Sequence, residues 1–433
     1  MPVLLATLAL LLAAGPGTEV HRTEGHDPVP TRPVIVGVSL DGQAPPDSTQ
    51  RPPVAWQLTP ELNALYSPRR GFGLGANLTA HHLGWSGSRW RAGTILAQRY
   101  QRLALSVYSA SPYQSRVHGM FGLYARTTTE RPFFGAGGRT SDTLSVRFQH
   151  TTLDAEALLG AYAFDHTGLL VQPFVRVRWD RIGRITEAAD QLPLLDAASQ
   201  GSVAAAQVES RTGAYVGVSF ASDTRDAAEY ARQGWLAQVS GSRYLALDGS
   251  DLGFWQGSAT VYGFLPIADL VPALRHHVVQ LSAHVATRRG VTVEALPFYY
   301  LAVLDYRMLG AYGRYRLTGL DAFVTSATYR FPVPSLFDLV TDALATDAFV
   351  GVQLGNVYNR IEDEFSARVS FTSDFEGDGR VPLRPVFVLG GSLLDRARSD
   401  LILTAQFSLG TERAFASEIR LVYDLRRFRS PLR

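Results

Sequence analysis

The sequence predicts an all-β chain, a transmembrane antiparallel β-barrel of about 16 strands with a long outer loop folded into the lumen. Three observations carry that expectation. From Gly71 onward, segments of about ten residues alternate apolar and polar side chains between turn residues. Beyond the apolar stretch Met1–Ala14, no apolar run approaches the roughly 20 residues that a spanning helix needs. Only 18 % of residues are charged, against about 25 % in soluble domains, while aromatics make up 11 %. Backbone groups inside a bilayer must be satisfied internally, so a membrane chain without spanning helices crosses as a barrel.

Met1–Ala14 has signal-peptide length and is followed by small residues and Pro16, although it lacks a basic start, so residues 1–17 read as an export signal. Residues 18–65 hold Pro28, Pro30, Pro33, Pro45, Pro46, Pro52, Pro53 and Pro60 and show no sustained periodicity. They read as a periplasmic linker or a plug-like segment, with the barrel occupying 66–433.

Four segments show the alternation. Leu169, Val171, Val175, Val177 and Trp179 oppose Gln172, Arg176, Arg178 and Asp180. Leu401, Leu403, Ala405, Phe407 and Leu409 oppose Thr404, Gln406 and Ser408. Near the end, Ile419, Leu421, Tyr423 and Leu425 oppose Glu418, Arg420, Asp424 and Arg426. Leu144, Val146 and Phe148 oppose Ser145, Arg147 and Gln149. A soluble sandwich alternates too, and the strand count decides against it. A barrel this wide encloses water, so the polar faces are expected inside and the apolar ones against lipid. Trp90, Tyr100, Trp179, Trp235, Trp255, Tyr299 and Tyr300 fall near strand ends and read as interfacial girdles. Longer connections at 181–208, 289–319 and 358–383 read as outer loops. Val333–Ala345 has the spacing of a short amphipathic helix on the periplasmic side.

The most informative stretch is Tyr306–Pro332. Its loop Gly310–Arg316 is rich in Gly, Arg and Tyr, and in the strand that follows Val324, Ser326, Thr328 and Arg330 share one face. This is a cationic element placed to fold back on a polar wall. With 41 basic against 39 acidic residues, net +2, no nucleic-acid footprint exists. All the basic residues are Arg, which reads first as codon bias, although its permanent charge and donor fork also suit a polar lumen. The absence of Cys removes disulfides, thiolate catalysis and Cys-based zinc sites.

No motif calls for an enzyme, a cofactor or a metal. Ser282 and His284 share a strand face, but neighbours of that kind stand about 7 Å apart, too far for a nucleophile–base hydrogen bond. His81-His82 and His276-His277 are adjacent pairs whose side chains point to opposite faces. Asp374–Gly379 lacks the alternating ligands of an EF-hand.

Five patches occur in a telling order: Tyr66–Ala76, Arg99-Tyr100 to Pro112-Tyr113, Arg131–Gly138, Arg314-Tyr315-Arg316 through Phe331-Pro332, and Leu354–Tyr358. Over about residues 66 to 426 the chain resembles the barrel of the bacterial surface antigen family, the BamA/TamA-like outer-membrane proteins. The resemblance implies that the sixth outer loop enters the lumen and that its Arg-Gly signature meets an Asp on the wall. Here the matching loop reads Met308-Leu309-Gly310-Ala311 and the wall position is Gln353, so both partners differ together. The signature Arg is missing or displaced to Arg307 or Arg314. The residues implied in the inward loop and its lumen contacts are Arg307, Gly310, Gly313, Arg314, Tyr315, Arg316, Arg330 and Gln353. A lateral seam is implied between Gly71–Ala80 and Ala414–Arg426, with Gly71, Gly73, Gly75, Arg420 and Tyr423 as its residues; glycines at a barrel bend are the other reading.

The resemblance also implies a place in the bacterial outer membrane and a role in inserting or translocating protein or lipid there without a chemical step. Its partners would be outer-membrane lipid, an unfolded outer-membrane protein or lipid client, and a periplasmic protein. Family members carry folded periplasmic domains, and 18–65 is too short and Pro-rich to hold one. The alternative is a passive pore or structural barrel.

Overall fold

Alternation makes the strands and neighbour pairing makes the wall. The computed structural model describes residues 57–67, 71–81, 83, 88–109, 117–133, 136, 146–163, 168–183, 208–226, 230–304, 308–312, 316–333, 344–371, 379–395, 401–411 and 415–421. The first strands are β1 (Gln57–Ser67), β2 (Gly71–His81), β3 (Arg89–Ala97), β4 (Tyr100–Tyr108), β5 (Val117–Phe133), β6 (Val146–Ala163) and β7 (Leu169–Gly183). Then come β8 (Arg211–Asp223), β9 (Gly234–Ala246), β10 (Gly253–Pro266), β11 (Val278–Arg289), β12 (Ala302–Leu304) and β13 (Leu317–Gly319). The last are β14 (Asp321–Pro332), β15 (Leu344–Tyr358), β16 (Phe365–Val369), β17 (Val381–Asp395), β18 (Leu401–Gly410) and β19 (Phe415–Leu421).

From β1 to β11 each strand pairs antiparallel with the next. The wall continues β11–β14–β15–β17–β18–β19 in the same sense. β12 and β13 form a separate two-stranded sheet, and β16 adds a short parallel ladder to β17. Among the described residues the remaining sixteen strands are the wall, close to the number the sequence predicts.

Two corrections concern its beginning. β1 takes in residues 57–65, which were read as linker. The density of prolines obscured the alternation Leu58, Pro60, Leu62, Ala64, Tyr66. The expected seam also moves. β1 pairs β2 over its full length, Gln57↔His81 to Ser67↔Gly71, whereas among the described residues it meets β19 only at Leu65↔Arg420 and Tyr66↔Ile419. Gly71, Gly73 and Gly75 therefore lie one strand in from the seam, opposite Ser67, Leu65 and Asn63. Arg420 does reach the seam, and Tyr423 lies outside the described residues.

The surface is inverted relative to a soluble protein. Phe72, Leu74, Leu96, Leu103, Phe121, Val175, Phe387 and Phe407 are exposed, while Arg126, Glu156, Gln172, Arg176, Arg178 and Asp180 are buried. Unpaired charged residues are almost never fully buried in soluble folds. An apolar outer belt around a polar interior is the pattern of a lipid-facing barrel. β7 and β18 follow their predicted faces: Val177 and Trp179 point out and Arg178 in, Phe407 and Leu409 out and Ser408 in.

Phe148 departs from expectation. It faces inward with His150 and Thr152, all three fully buried, because an element inside the lumen covers it. The girdle reading also holds only in part. Trp179 and Trp255 are exposed, but Tyr100 faces inward, and Tyr299 and Tyr300 lie in the lumen loop.

By strand direction, connections 184–210, 290–320 and 359–380 share one end, here the loop end. Connections 224–233, 267–277 and 333–343 share the other, the turn end. The expectations for the signal segment, for most of the helix at Val333–Ala345 and for Asp374–Gly379 fall outside the described residues.

Candidate functional site

After β11 the chain turns into the lumen, and its first anchor is aromatic. Pro297 opens a single helical turn, Phe298–Tyr300, closed by the Tyr300 N–H donating to the Pro297 carbonyl at 2.9 Å. All three rings are buried. Phe298 packs between Phe133 and Phe148, with ring centroids 4.9 and 4.3 Å away. Tyr299 lies 5.0 Å from the His150 ring, and its hydroxyl donates to the Glu209 carbonyl at 2.6 Å. Tyr300 packs on Tyr244 at 4.9 Å and shares a 3.2 Å hydroxyl–hydroxyl bond with it. Arg288 Nε donates to the Tyr300 carbonyl at 2.9 Å. Burial pushes the Tyr299 and Tyr300 phenols well above the ordinary tyrosine range, and the nearby Asp180 charge adds to the shift.

Beneath this aromatic foot lies a charged wall that cross-strand register assembles. Thr152 stands opposite Asp180, Asp154 opposite Arg178, and Glu156 opposite Arg176 across β6 and β7. Arg178 grips Asp180 with two bonds, Nε to Oδ2 at 2.7 Å and Nη2 to Oδ1 at 2.8 Å. His150 Nε2 stands 2.7 Å from Asp180 Oδ1, and the Thr152 hydroxyl donates to the same oxygen at 3.2 Å. Arg176 Nη2 donates to Glu156 Oε1 at 2.8 Å. Buried charges persist only when paired and hydrogen-bonded, a condition that Asp180, Arg178, Glu156 and Arg176 meet. The Arg178 guanidinium also lies 5.6 Å from the Tyr300 ring centroid, linking wall and foot.

The loop's second anchor is on the far side. Gly310 N–H donates to Gln353 Oε1 of β15 at 2.6 Å. A Cβ at Gly310 would collide with the Ser408 side chain and lie 3.1 Å from Gln406 Nε2, so only glycine allows this approach to β18. The Tyr312 hydroxyl bonds the Thr411 hydroxyl, and the Tyr312 ring lies 5.9 Å from the buried Arg384 guanidinium. Leu304, Leu309, Ala311 and Leu317 pack with Val357, Val386 and Val388 of the wall. The loop thus spans the lumen from β6–β9 to β15–β18.

The structure brings together Gly310 of the matching loop, which lacks the expected Arg beside it, and Gln353, which stands where the resemblance implies an Asp. The wall side chain still receives the loop, but from a backbone N–H instead of an Arg. Arg316 is buried at the start of β13. Arg307, Gly313, Arg314 and Tyr315 lie outside the described residues. Arg330 does not meet the loop: it sits at the opposite end of β14, near the turn between β8 and β9. Ser282 and His284 bond different neighbours, Ser326 at 2.6 Å and Thr260 at 2.7 Å. Sequence reasoning missed Phe298, His150 and Tyr312. Alternation did place Arg178 and Asp180 inward without saying what they meet.

No family model and no curated protein matches the chain. Among solved structures it is similar to BamA from Haemophilus ducreyi lacking POTRA domains 1-3, with a TM-score of 0.57 at 13 % identity over 84 % of this chain and 70 % of that one. It is also similar to CdiB from Escherichia coli, with a TM-score of 0.54 at 10 % identity over 87 % of this chain and 64 % of that one. The chain thus has the barrel fold of these two proteins and spans about two thirds of their length.

Proposed function

We propose that this chain is a bacterial outer-membrane barrel that assists the insertion or translocation of protein or lipid, acting through strand exchange without a chemical step. The seam carries this reading: the first and last strands, β1 and β19, meet there, at two residue pairs among the described residues, and such a junction is where a barrel can admit another strand. An open strand edge is a template on which an incoming strand adds by backbone hydrogen bonding. Likeness of fold to BamA and CdiB supports the same reading. Outer-membrane lipid surrounds the belt, and an unfolded outer-membrane protein or lipid is the client, delivered by a periplasmic partner. A passive pore fits less well, because the inward loop crosses the lumen from wall to wall.

The test uses Leu65→Cys with Arg420→Cys, direct partners across the seam in a chain without other cysteines. In proteoliposomes the reduced protein is expected to speed the folding of an unfolded β-barrel client, and the oxidised one to lose that acceleration reversibly. Large steady conductance with no client acceleration would establish the pore reading instead.

A further inference from the structure

The outer face of the wall carries a second layer at the loop end. Alternation divides β15 and β17 there: Val357, Val386 and Val388 pack with the loop in the lumen, so Asn356, Tyr358, Val381, Leu383 and Phe387 point outward. Farther along the same wall, the outward residues Leu389 and Phe407 are exposed. Asn356 and Tyr358 are instead 0 % exposed, and Val381 and Leu383 are buried. Another part of the chain covers them from outside.

The cover is the chain that follows β15. The ladder between β15 and β17 ends at Gly355↔Arg384, and beyond it β17 pairs with β16 instead, Phe365↔Val381 and Val369↔Leu383. The Phe365 ring lies 6.0 Å from that of Tyr358 and 5.9 Å from that of Phe323, the outward neighbour of the lumen-facing Val324 on β14. Ser370 N–H donates to the Leu383 carbonyl at 3.0 Å. The Phe371 ring stacks on Phe387, with centroids 6.5 Å apart and 13° between the planes. Because β16 runs parallel to β17, residues 365–371 descend the outer surface from the loop end toward the middle of the wall.

This descending segment is graded in polarity. It starts from a helical turn, Ile361–Glu364, fixed at the rim, where Ile361 N–H donates to Asp321 Oδ2 and Arg289 Nη2 donates to Glu362 Oε2, each at 2.9 Å. Glu362 and Asp363 are exposed there. The lower end is apolar: Val369 and Phe371 are both exposed, Phe371 to 63 %. Phe371 adjoins Phe387, and from Phe387 the exposed belt runs on through Leu389 and across to Phe407 and Leu409. An apolar patch of this kind marks an interaction surface, and its continuity with the lipid-facing belt identifies acyl chains as the occupant.

We propose that residues 365–371 form an external lipid anchor, which sets Val369 and Phe371 among the acyl chains of the leaflet at the loop end and leaves Glu362 and Asp363 in water. The inference rests on the outer-membrane placement and not on the insertion role, so a protein that fails to accelerate client folding leaves it standing. The chain has no cysteine, and a single introduced one can therefore carry an environment-sensitive fluorophore. In proteoliposomes of the full-length protein, lipid bearing a nitroxide near its headgroup should quench the label at Phe371→Cys several-fold more than the label at Asp363→Cys. Aqueous iodide should show the reverse order. Val369→Cys repeats the comparison if Phe371→Cys fails to fold. Iodide quenching at both apolar positions as strong as at Asp363→Cys would overturn the proposal. Protection there from both quenchers would overturn it too, because protein and not lipid would then cover the patch.

Discussion

The inward loop is held at two places by different physics. Its foot, Phe298–Tyr300, buries three aromatic rings above a paired charge network on β6 and β7. Its tip, Met308–Tyr312, packs Leu309, Ala311 and Tyr312 into an apolar cluster with the wall and adds an amide oxygen, a hydroxyl pair and the close approach of a glycine to β18. Removing a buried aromatic ring costs about 3–5 kcal/mol, whereas an ordinary hydrogen bond contributes about 1 kcal/mol net. With three buried rings against the tip's one, the foot is the heavier anchor, and the tip is expected to exchange first with water.

The largest expected effect comes from the wall under the foot. Asp180→Ala leaves Arg178 buried without its closest carboxylate and takes away one partner of His150. Breaking a buried pair from one side costs about 3–5 kcal/mol. The denaturation midpoint of the reconstituted barrel should fall accordingly, and the Tyr300 contact should loosen with it. Asp180→Leu combined with Arg178→Met should be less damaging than Asp180→Ala, because apolar replacement of a whole buried pair is close to neutral. A folded Asp180→Ala barrel with parental stability would show that the wall network is not what supports the foot.

A smaller and more local effect is expected at the tip. Gly310→Ala forces a methyl group against Ser408, an overpacking that costs about 1–3 kcal/mol. Hydrogen exchange at 308–312 should quicken while exchange at 298–301 stays slow. Ser408→Gly in the same chain should restore part of the protection. Equal loosening of both segments would mean that tip and foot are one cooperative unit.

The sequence made the tip legible and hid the foot, for a physical reason. Gly310 and Gln353 lie in segments with a recognisable local order, so their meeting could be anticipated from a resemblance. Phe298–Tyr300 is a short aromatic run near a strand end, and composition gives the same signal for an interfacial girdle as for a lumen anchor. Only the turn after Pro297 and the inward register of Phe148 separate the two. The strand faces were readable wherever water and lipid alone set them, as in β7. They failed at Phe148, where a third environment, the loop itself, supplies an apolar surface inside a polar lumen. The first strand was missed because its prolines outweighed an alternation of period two, and the seam was displaced by one strand as a result. Arg330 carried the right chemistry and the wrong address, since a face assignment does not say at which end of a long strand a charge acts.

The finest distinction between foot and tip is in their response to alkali. Burial, with the Asp180 charge beside it, raises the phenols of Tyr299 and Tyr300. In a loop released to water the same phenols ionise near 10. Below that value both states keep their protons, and docking of the foot does not depend on pH through these groups. Above it the released loop has lost protons that the docked loop still binds, so docking weakens as pH rises, by about 1.4 kcal/mol per phenol for each unit until the docked phenol itself ionises. Tyrosinate absorbance should lag behind that of exposed tyrosines until the loop becomes protease-sensitive, and then rise with it. Tyr299→Phe should remove its own share of the dependence and leave neutral-pH docking little changed apart from the hydroxyl bond to Glu209. Phenols that titrate near 10 while the loop stays protected would show that the foot is wetter than its packing implies, and would return the governing role to the tip.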